Sequence, residues 1–538
     1  MAGPGHFTDG ADAASDGSDP SLSKSPVASA VIVGDGDRRE IVGRQVEDSA
    51  AAALVLERLR SVQRVWADQP LRHRLRVLRA ARVALGRTPR ELADTVPREV
   101  VSQTLAAEVL PLLDAIRFLE RASRRVLRER RLRPRGRPSW LCGTAVFARP
   151  EPLGVVLVIG PANYPLLLPG VPLLQALVAG NAVLVKPAPG CRAPLVRLVR
   201  ELERSGLPEG LVEVLSEDVS AVASYLQRGV DKVILTGSAK TGRAVLRELA
   251  ETTTPAVLEL SGCDAVIVLP GANLQLVVDC LLFGLTLNDG RTCLAPRRVF
   301  AEGPVVDQLL VLLRAGLVAR GLMERDHRGP AVEHAVGKIR EALSQGAVLK
   351  AGTLSEADGV PGIRGPVVLD GVTTEMSVAR DDLFVPVVSF LRVMNETDAV
   401  RSVRDCPYAL GASVFGPLWR CHAVARSLDV GCVVINDMIV PSADPRVSFG
   451  GRHASGFGMT RGALGLQEMT QVKHIIRARP FFRPHLEPPC SADADVLESL
   501  IRLEHAGNLL VRLWRVPGMI WASLRQVWVR RAGKGTLQ

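Results

Sequence analysis

Leu153-Gly154-Val155-Val156-Leu157-Val158-Ile159-Gly160 opens the part of the chain whose pattern decides the fold. Five apolar residues stand between two glycines and read as a strand buried on both faces. A helical pattern follows at 167–178, then an apolar strand at 182–185 and a helix at 194–204. Segments 211–215 and 233–235 read as further strands, and 240–250 as the helix after the second of them. Strands alternating with helices at this spacing predict a parallel sheet covered on both faces. Ligands of such sheets lie beyond the carboxyl ends of the strands.

Outward from this block the pattern changes on both sides. Between 46 and 133 the apolar residues recur at helical spacing, as in Leu105, Val109, Leu112, Ile116 and Leu119. Residues 1–45 are rich in Gly, Ala, Ser and Asp and read as a disordered or loosely attached arm. A second alternating block runs from about 257 to 435, and a Gly-rich segment follows at 449–458. No repeat of solenoid period is present.

With 538 residues, 47% of them hydrophobic, the chain has material for more than one core. The net charge of +11 is carried mostly by arginine, with a cluster from Arg117 through Arg121, Arg124, Arg125, Arg128, Arg130, Arg131, Arg133 and Arg135 to Arg137. Such a cluster attracts nucleic acid or an anionic membrane. The simpler reading is a solvated helix face partly balanced by Glu120 and Glu129; no nucleic-acid motif accompanies it, and no nucleic-acid partner is expected. The nine cysteines are scattered without C-x-x-C spacing. This disfavours a disulfide framework or a zinc site, so no metal is expected and a cytoplasmic location is. No signal peptide and no membrane-spanning stretch is read.

Three segments carry chemistry. Thr236-Gly237-Ser238-Ala239-Lys240-Thr241-Gly242 is a Gly-containing turn between strand and helix, where backbone N–H groups can approach a phosphate. It is neither a Walker A loop nor G-x-G-x-x-G, and alone it reads as a plain turn. Leu258-Glu259-Leu260-Ser261-Gly262 puts a glutamate in an apolar strand, where burial raises its pKa toward that of a general base; alone it reads as a structural glutamate. Asn288-Asp289-Gly290-Arg291-Thr292-Cys293 puts a cysteine in a polar turn; alone it reads as an inert core thiol.

Taken together, in this order and at the interval from Glu259 to Cys293, the segments resemble the aldehyde dehydrogenase superfamily from about residue 46 to 477. Pro152-Leu153-Gly154-Val155, Gly160-Pro161-Ala162-Asn163-Tyr164-Pro165, Gly180-Asn181-Ala182 through Lys186-Pro187, and Asp381-Asp382-Leu383-Phe384 support the match. The resemblance implies an α/β fold: a Rossmann-like cofactor-binding domain, a second α/β catalytic domain and a small β oligomerisation arm. The expected bounds are 46–258 for the helical block and cofactor domain, 259–435 for the catalytic domain, and 436–485 for the closing segment and arm. The arm strands are expected near 140–148 and 472–478. The usual assembly of the family is a homodimer or homotetramer.

The resemblance also implies roles. Cys293 is the nucleophile, Asn163 the oxyanion donor and Glu259 the base that lets water release the thioester, a residue that acyl-CoA-forming relatives lack. Lys186, Gly237, Ser238, Asp382 and Phe384 are the cofactor-binding residues. Asp382 stands where the family usually has a glutamate on the nicotinamide ribose, and Val385 replaces a glycine. Pro189 cannot accept a bond from the adenosine 2′-hydroxyl and Arg192 is near it, so NAD versus NADP stays open. Asn436 and Asp437 read as turn residues. Residues 486–538 form a basic, Trp-containing extension, broken at Pro517-Gly518, that suits either peripheral membrane contact or packing on protein. Two alternatives remain at this level: a catalytically weak relative kept for interactions, and a coenzyme-A-acylating oxidoreductase.

Overall fold

The computed structural model describes residues 35–98, 100–141, 143–357, 359–478, 484–486, 488–489, 491–507 and 516–535. Most of the N-terminal arm expected at 1–45 lies outside them, but helix Asp35–Asp68 starts inside that range, ahead of the boundary read from composition.

The first sheet runs in the order β18 (Gly456–Phe457), β7 (Ala256–Glu259), β6 (Lys232–Thr236), β3 (Val155–Ile159), β4 (Ala182–Lys186), β5 (Val212–Val214). All neighbours are parallel except β18, which runs antiparallel to β7. Every residue of β3 and β4 is buried, which explains their unbroken apolar runs. Helix Leu167–Ala179 is buried along nearly all its length and ends at Gly180, whose φ of 102° closes it in the left-handed region. The next residue, Asn181, is buried. Its Oδ1 accepts from the N–H groups of Leu153 (2.7 Å) and Gly154 (3.0 Å), and its Nδ2 donates to the Met469 carbonyl at 2.9 Å. One side chain thus joins the sheet to the closing segment.

From β3 the chain proceeds through β4 to β5 on one side and returns to β6 and β7 on the other. The strand order therefore reverses between β3 and β6. The loops leaving their carboxyl ends, at 160–164 and 237–238, diverge there and open a crevice.

The second sheet runs β10 (Asp326–His327), β12 (Val360–Asp370), β13 (Val387–Arg392), β9 (Pro296–Ala301), β8 (Asp264–Val268), β15 (Gly411–Phe415), β16 (Cys432–Ile435), with β11 (Val348–Ala357) paired to β12. Separate apolar clusters cover its two faces. Two short strands, β14 (Tyr408–Ala409) and β17 (Arg452–His453), pair beside it.

Several expected bounds shift. Glu259 ends β7 of the first sheet, and the second sheet begins only at Asp264, so a boundary at 258/259 cuts a strand. A four-residue apolar strand does not declare which sheet it joins; the pairing of Glu259 with Thr236 decides it. The closing segment returns a strand, β18, to that same sheet. The arm is β1 (Arg130–Arg131), β2 (Ala145–Pro152) and β19 (Thr470–Arg477). β2 starts later than the expected 140–148 because Ser139–Leu141 is a 3-10 turn, and β19 lies within two residues of the expected 472–478.

The arginine cluster is not one helix face. Its helix ends at Val126, Arg130 and Arg131 sit in β1, and Glu120 is taken by Arg82 at 2.6 Å. In the C-terminal extension, helices Ser491–His505 and Val516–Gly535 pack on each other, with Arg525 paired to Asp495 at 2.7 Å. Pro517 and Gly518 lie in the first turn of the second helix, where proline lacks no needed N–H, so they do not break it. Leu509, Leu513 and Trp514 lie outside the described residues. No described helix is long and apolar enough to cross a membrane.

Candidate active site

The crevice at the strand-order reversal holds a cleft of about 370 Å³, lined by Asn163, Gly237, Ser238, Glu259, Cys293, Asp382 and Phe384. A second cleft of about 430 Å³ shares Asn163 and Phe384 and continues to Arg98, Asn288, Arg291 and Arg325. The two meet across the Asn163–Phe384 wall. Lys186 lines neither: it ends β4, one strand away, and is buried. Among the described residues its ammonium forms no ion pair, and burial pulls its pKa down.

Cys293 is carried by a tight loop. Asn288 and Asp289 take φ of 51° and 55°, and Gly290 takes 72°. Non-glycine residues in this region cost energy and must be held by their surroundings. Arg297 holds this loop: it is almost fully buried and donates to the carbonyls of Gly290 (2.8 Å) and Val385 (2.5 Å). A Cβ on Gly262 would stand 2.4 Å from the Cys293 carbonyl oxygen, so the Glu259–Gly262 turn and the cysteine loop touch only because position 262 is glycine. The Cys293 residue is half-buried. Burial first, then the charges of Glu259, Asp264 and Asp382, push its thiol up, while Arg461 pulls it down. A thiol pushed up in this way gives up its proton less readily than a free one.

Glu259 is buried, and burial raises its pKa against the pull of Arg461 and Thr460. Thr460 Oγ1 reaches Oε2 at 3.4 Å; Oε1 has no hydrogen-bond partner among the described residues. The Glu259 backbone carbonyl accepts from Gly237 N at 3.0 Å, which ties the Gly-containing turn to the carboxylate's strand. Ser238 caps helix Ala239–Thr252, its Oγ accepting from Thr241 N at 3.1 Å.

Asn163 is anchored on both sides of its peptide. Its carbonyl accepts from Arg98 Nη2 at 2.7 Å and Asn288 Nδ2 at 3.0 Å, and its own Nδ2 donates to the Arg291 carbonyl at 3.2 Å. An amide has two N–H donors, so a second is left for the cleft. Tyr164 OH bonds Thr292 Oγ1 at 2.7 Å, linking the Asn163 loop to the residue before the cysteine.

Asp382 lines the cleft, but its carboxylate is turned to Arg297 at 3.4 Å and accepts from Phe384 N at 3.3 Å. Burial raises it to about 6, with Arg297 opposing. Phe384 itself has a φ of 53°, an uncommon conformation for a bulky side chain at a cleft wall. Arg192 folds back on the carbonyls of Leu215 (3.4 Å) and Val214 (3.3 Å).

A sequence profile described as the Aldehyde dehydrogenase family matches residues 33–475. The chain belongs to this family. It is an enzyme of the aldehyde dehydrogenase class, and its sheet topology agrees with the fold expected from the sequence. Among similar proteins, a 4,4'-diapolycopene aldehyde oxidase of a Methylomonas species is 31% identical over 442 residues, 79% of each chain. A benzaldehyde dehydrogenase of Bacillus subtilis is 32% identical over 340 residues, 60% of this chain and 68% of that one. The solved structure of an NADP-dependent glyceraldehyde-3-phosphate dehydrogenase from Bacillus halodurans, complexed with NADP, has a TM-score of 0.71 and 27% identity, covering 80% of this chain and 91% of the other.

Sequence reading of this aldehyde dehydrogenase missed Arg98, Arg297, Thr460 and Arg461. All four act across long sequence separations, which no local pattern reports.

Proposed function

We propose that the enzyme oxidises an aldehyde to a carboxylic acid with NAD or NADP, through covalent intermediates on Cys293. The observation that carries this reading is the convergence of Cys293, Glu259 and Asn163 with the Gly237–Ser238 turn on one cleft. A dinucleotide suits the residues present: a Gly-containing turn at a helix N-terminus for the pyrophosphate and a buried lysine, Lys186, with no ion pair among the described residues, for ribose hydroxyls. Phe384 would wall the nicotinamide. Asp382 would act there through Arg297 and the Phe384 backbone as much as on a ribose. NAD and NADP remain equal candidates; the NADP complex is that of the solved relative.

In this mechanism the Cys293 proton leaves to solvent, and the sulfur bonds the aldehyde carbon to give a thiohemiacetal. The Asn163 amide and the Cys293 backbone N–H stabilise the oxygen that becomes negative. A bound nicotinamide supplies the hydride acceptor that turns this adduct into a thioester. Glu259 takes a proton from water, which attacks the thioester carbon; the C–S bond breaks, the acid leaves, and Glu259 returns the proton to the Cys293 sulfur.

The experiment is to follow NAD(P)H formation with short, long and aromatic aldehydes, with and without coenzyme A. The reading expects turnover without coenzyme A. No activity with any aldehyde would favour the weak relative kept for interactions, and a strict coenzyme A requirement the acylating enzyme.

Two surfaces bear on partners. Strand β19 is an exposed edge carrying Val472, Ile475 and Ile476, a template for pairing with a second copy into a homodimer or homotetramer. The C-terminal helices expose Leu497, Ile501, Ile520, Trp521 and Leu524, and residues 506–538 include Arg512, Arg515, Arg525, Arg530, Arg531 and Lys534 with no acidic residue. Exposed apolar side chains beside a stretch rich in arginine favour peripheral contact of an otherwise cytoplasmic enzyme with an anionic membrane, and a lipophilic aldehyde. Co-sedimentation with anionic liposomes should be lost when residues 486–538 are removed; equal binding by both forms counts against it.

A further inference from the structure

Arg461 occupies backbone angles of φ 56° and ψ 175°, a region that belongs almost entirely to glycine. Such strain persists only when both sides are held. Before it, Thr460 and Phe449 exchange backbone hydrogen bonds at 2.8 and 2.7 Å; after it, the Arg461 carbonyl accepts from Gly465 N at 2.9 Å. The result is a guanidinium stacked on the Phe449 ring, 4.4 Å from its centroid, with Nη1 donating to the Ser442 carbonyl at 3.3 Å. Its Nε is buried without a hydrogen-bond partner among the described residues, and so is Oε1 of Glu259. Arg461 makes no ion pair with Glu259 at contact distance, yet its charge acts on both Glu259 and Cys293.

We propose that Arg461 and Thr460 are positioning residues for Glu259: Thr460 fixes Oε2, Arg461 supplies the facing positive charge, and Oε1 is left as the oxygen that takes the proton from water. The inference rests on the mechanism proposed above. The arrangement leaves Glu259 under the charge of a cation without a salt bridge that would occupy Oε1. The groups facing Glu259 are Arg461, the Thr460 hydroxyl and the Cys293 thiol; Asp264 and Asp382 act in turn on Cys293. Loss of Arg461 therefore raises both the carboxyl and the thiol, so the two half-reactions must be read separately.

The test is Arg461→Met, which keeps the apolar stem and removes the charge. The first-turnover burst of NAD(P)H reports acylation, and intact mass of the acid-quenched protein reports the acyl-enzyme. The acidic limb of thioester hydrolysis should move up by about one pH unit or more, with acyl-enzyme accumulating below it. Arg461→Lys should restore the limb. A purely structural role would lower activity without moving it, and an unmoved limb in Arg461→Met overturns the proposal. Should that variant not fold, Thr460→Val removes the hydroxyl with the stack intact. Its limb should move the same way, and an unmoved limb overturns the proposal equally. Two controls separate the underlying mechanism. Acyl-enzyme in Cys293→Ala, or hydrolysis at the wild-type rate in Glu259→Gln, would overturn that mechanism whatever Arg461 does.

Discussion

Arg98 and Glu108 meet at 3.3 Å behind the Asn163 loop, with the Glu108 side chain wholly buried. Glu108 Oε2 also accepts from the N–H groups of Leu166 (2.7 Å) and Leu167 (3.2 Å), at the start of the helix that follows the loop. Arg98 lies over the Tyr164 ring and donates to the Asn163 carbonyl. One ion pair therefore joins the helix start to the Asn163 peptide. Burial raises Glu108, and Arg98 opposes that rise. Replacing Arg98 with Met should cost about 3–5 kcal/mol, because a buried carboxylate loses its partner. Urea denaturation should register this loss, and Glu108→Gln, which can still accept from Leu166, should lose less. Equal stability of wild type and Arg98→Met would remove the pair from this role.

Asn163→Ala removes the side-chain donor beside Cys293 and leaves the backbone bonds to Arg98 and Asn288 in place. The expected result is a kcat lower by about 10²–10³ with KM little changed, since the donor matters where negative charge develops. A change confined to KM would assign Asn163 to binding instead.

Cys293→Ala should form no NAD(P)H from aldehyde while keeping the melting temperature of the parent. Glu259→Gln should slow steady turnover by about 10²–10⁴, the usual span for a general base. Rapid-mixing kinetics should then find acyl-enzyme held on Cys293. Full steady-state activity in Glu259→Gln would assign the water-activating role to another group.

Asp264, buried at the start of β8, is raised to about 8, chiefly by burial; it accepts from Gly411 N at 3.1 Å. Its folded pKa lies above its unfolded one, so the folded state holds the proton more tightly. That contribution is full below about pH 4, the ordinary aspartate value, and declines as pH rises toward 8. Asp264→Asn keeps the acceptor and does not titrate. Its melting temperature should gain on wild type as pH rises through this window and level off above it. A constant difference across the window would show that Asp264 does not titrate as described.

The central strands and the order of the chemical segments were legible because each is local. Val155–Ile159 is an apolar run between glycines, and Glu259, Cys293 and Asn163 sit in short segments with their own turn chemistry. The first arm strand was misplaced by about five residues: β2 is half-buried along most of its length, so no alternation of apolar and polar residues marks where it starts. The arginine cluster misled for a related reason: like charges on helix, turn and strand look the same in one dimension.

By itself the sequence determined the α/β class, the strand–helix alternation and the residues with the right chemistry, since burial and turn geometry write themselves into neighbouring positions. Only the tertiary structure decided that Glu259 ends a strand of the first sheet, that Asp382 turns to Arg297, and that Arg461 lies over Phe449. Those facts depend on contacts between residues far apart in the chain. Such contacts are set by strand pairing and packing, which leave no periodic trace at either position.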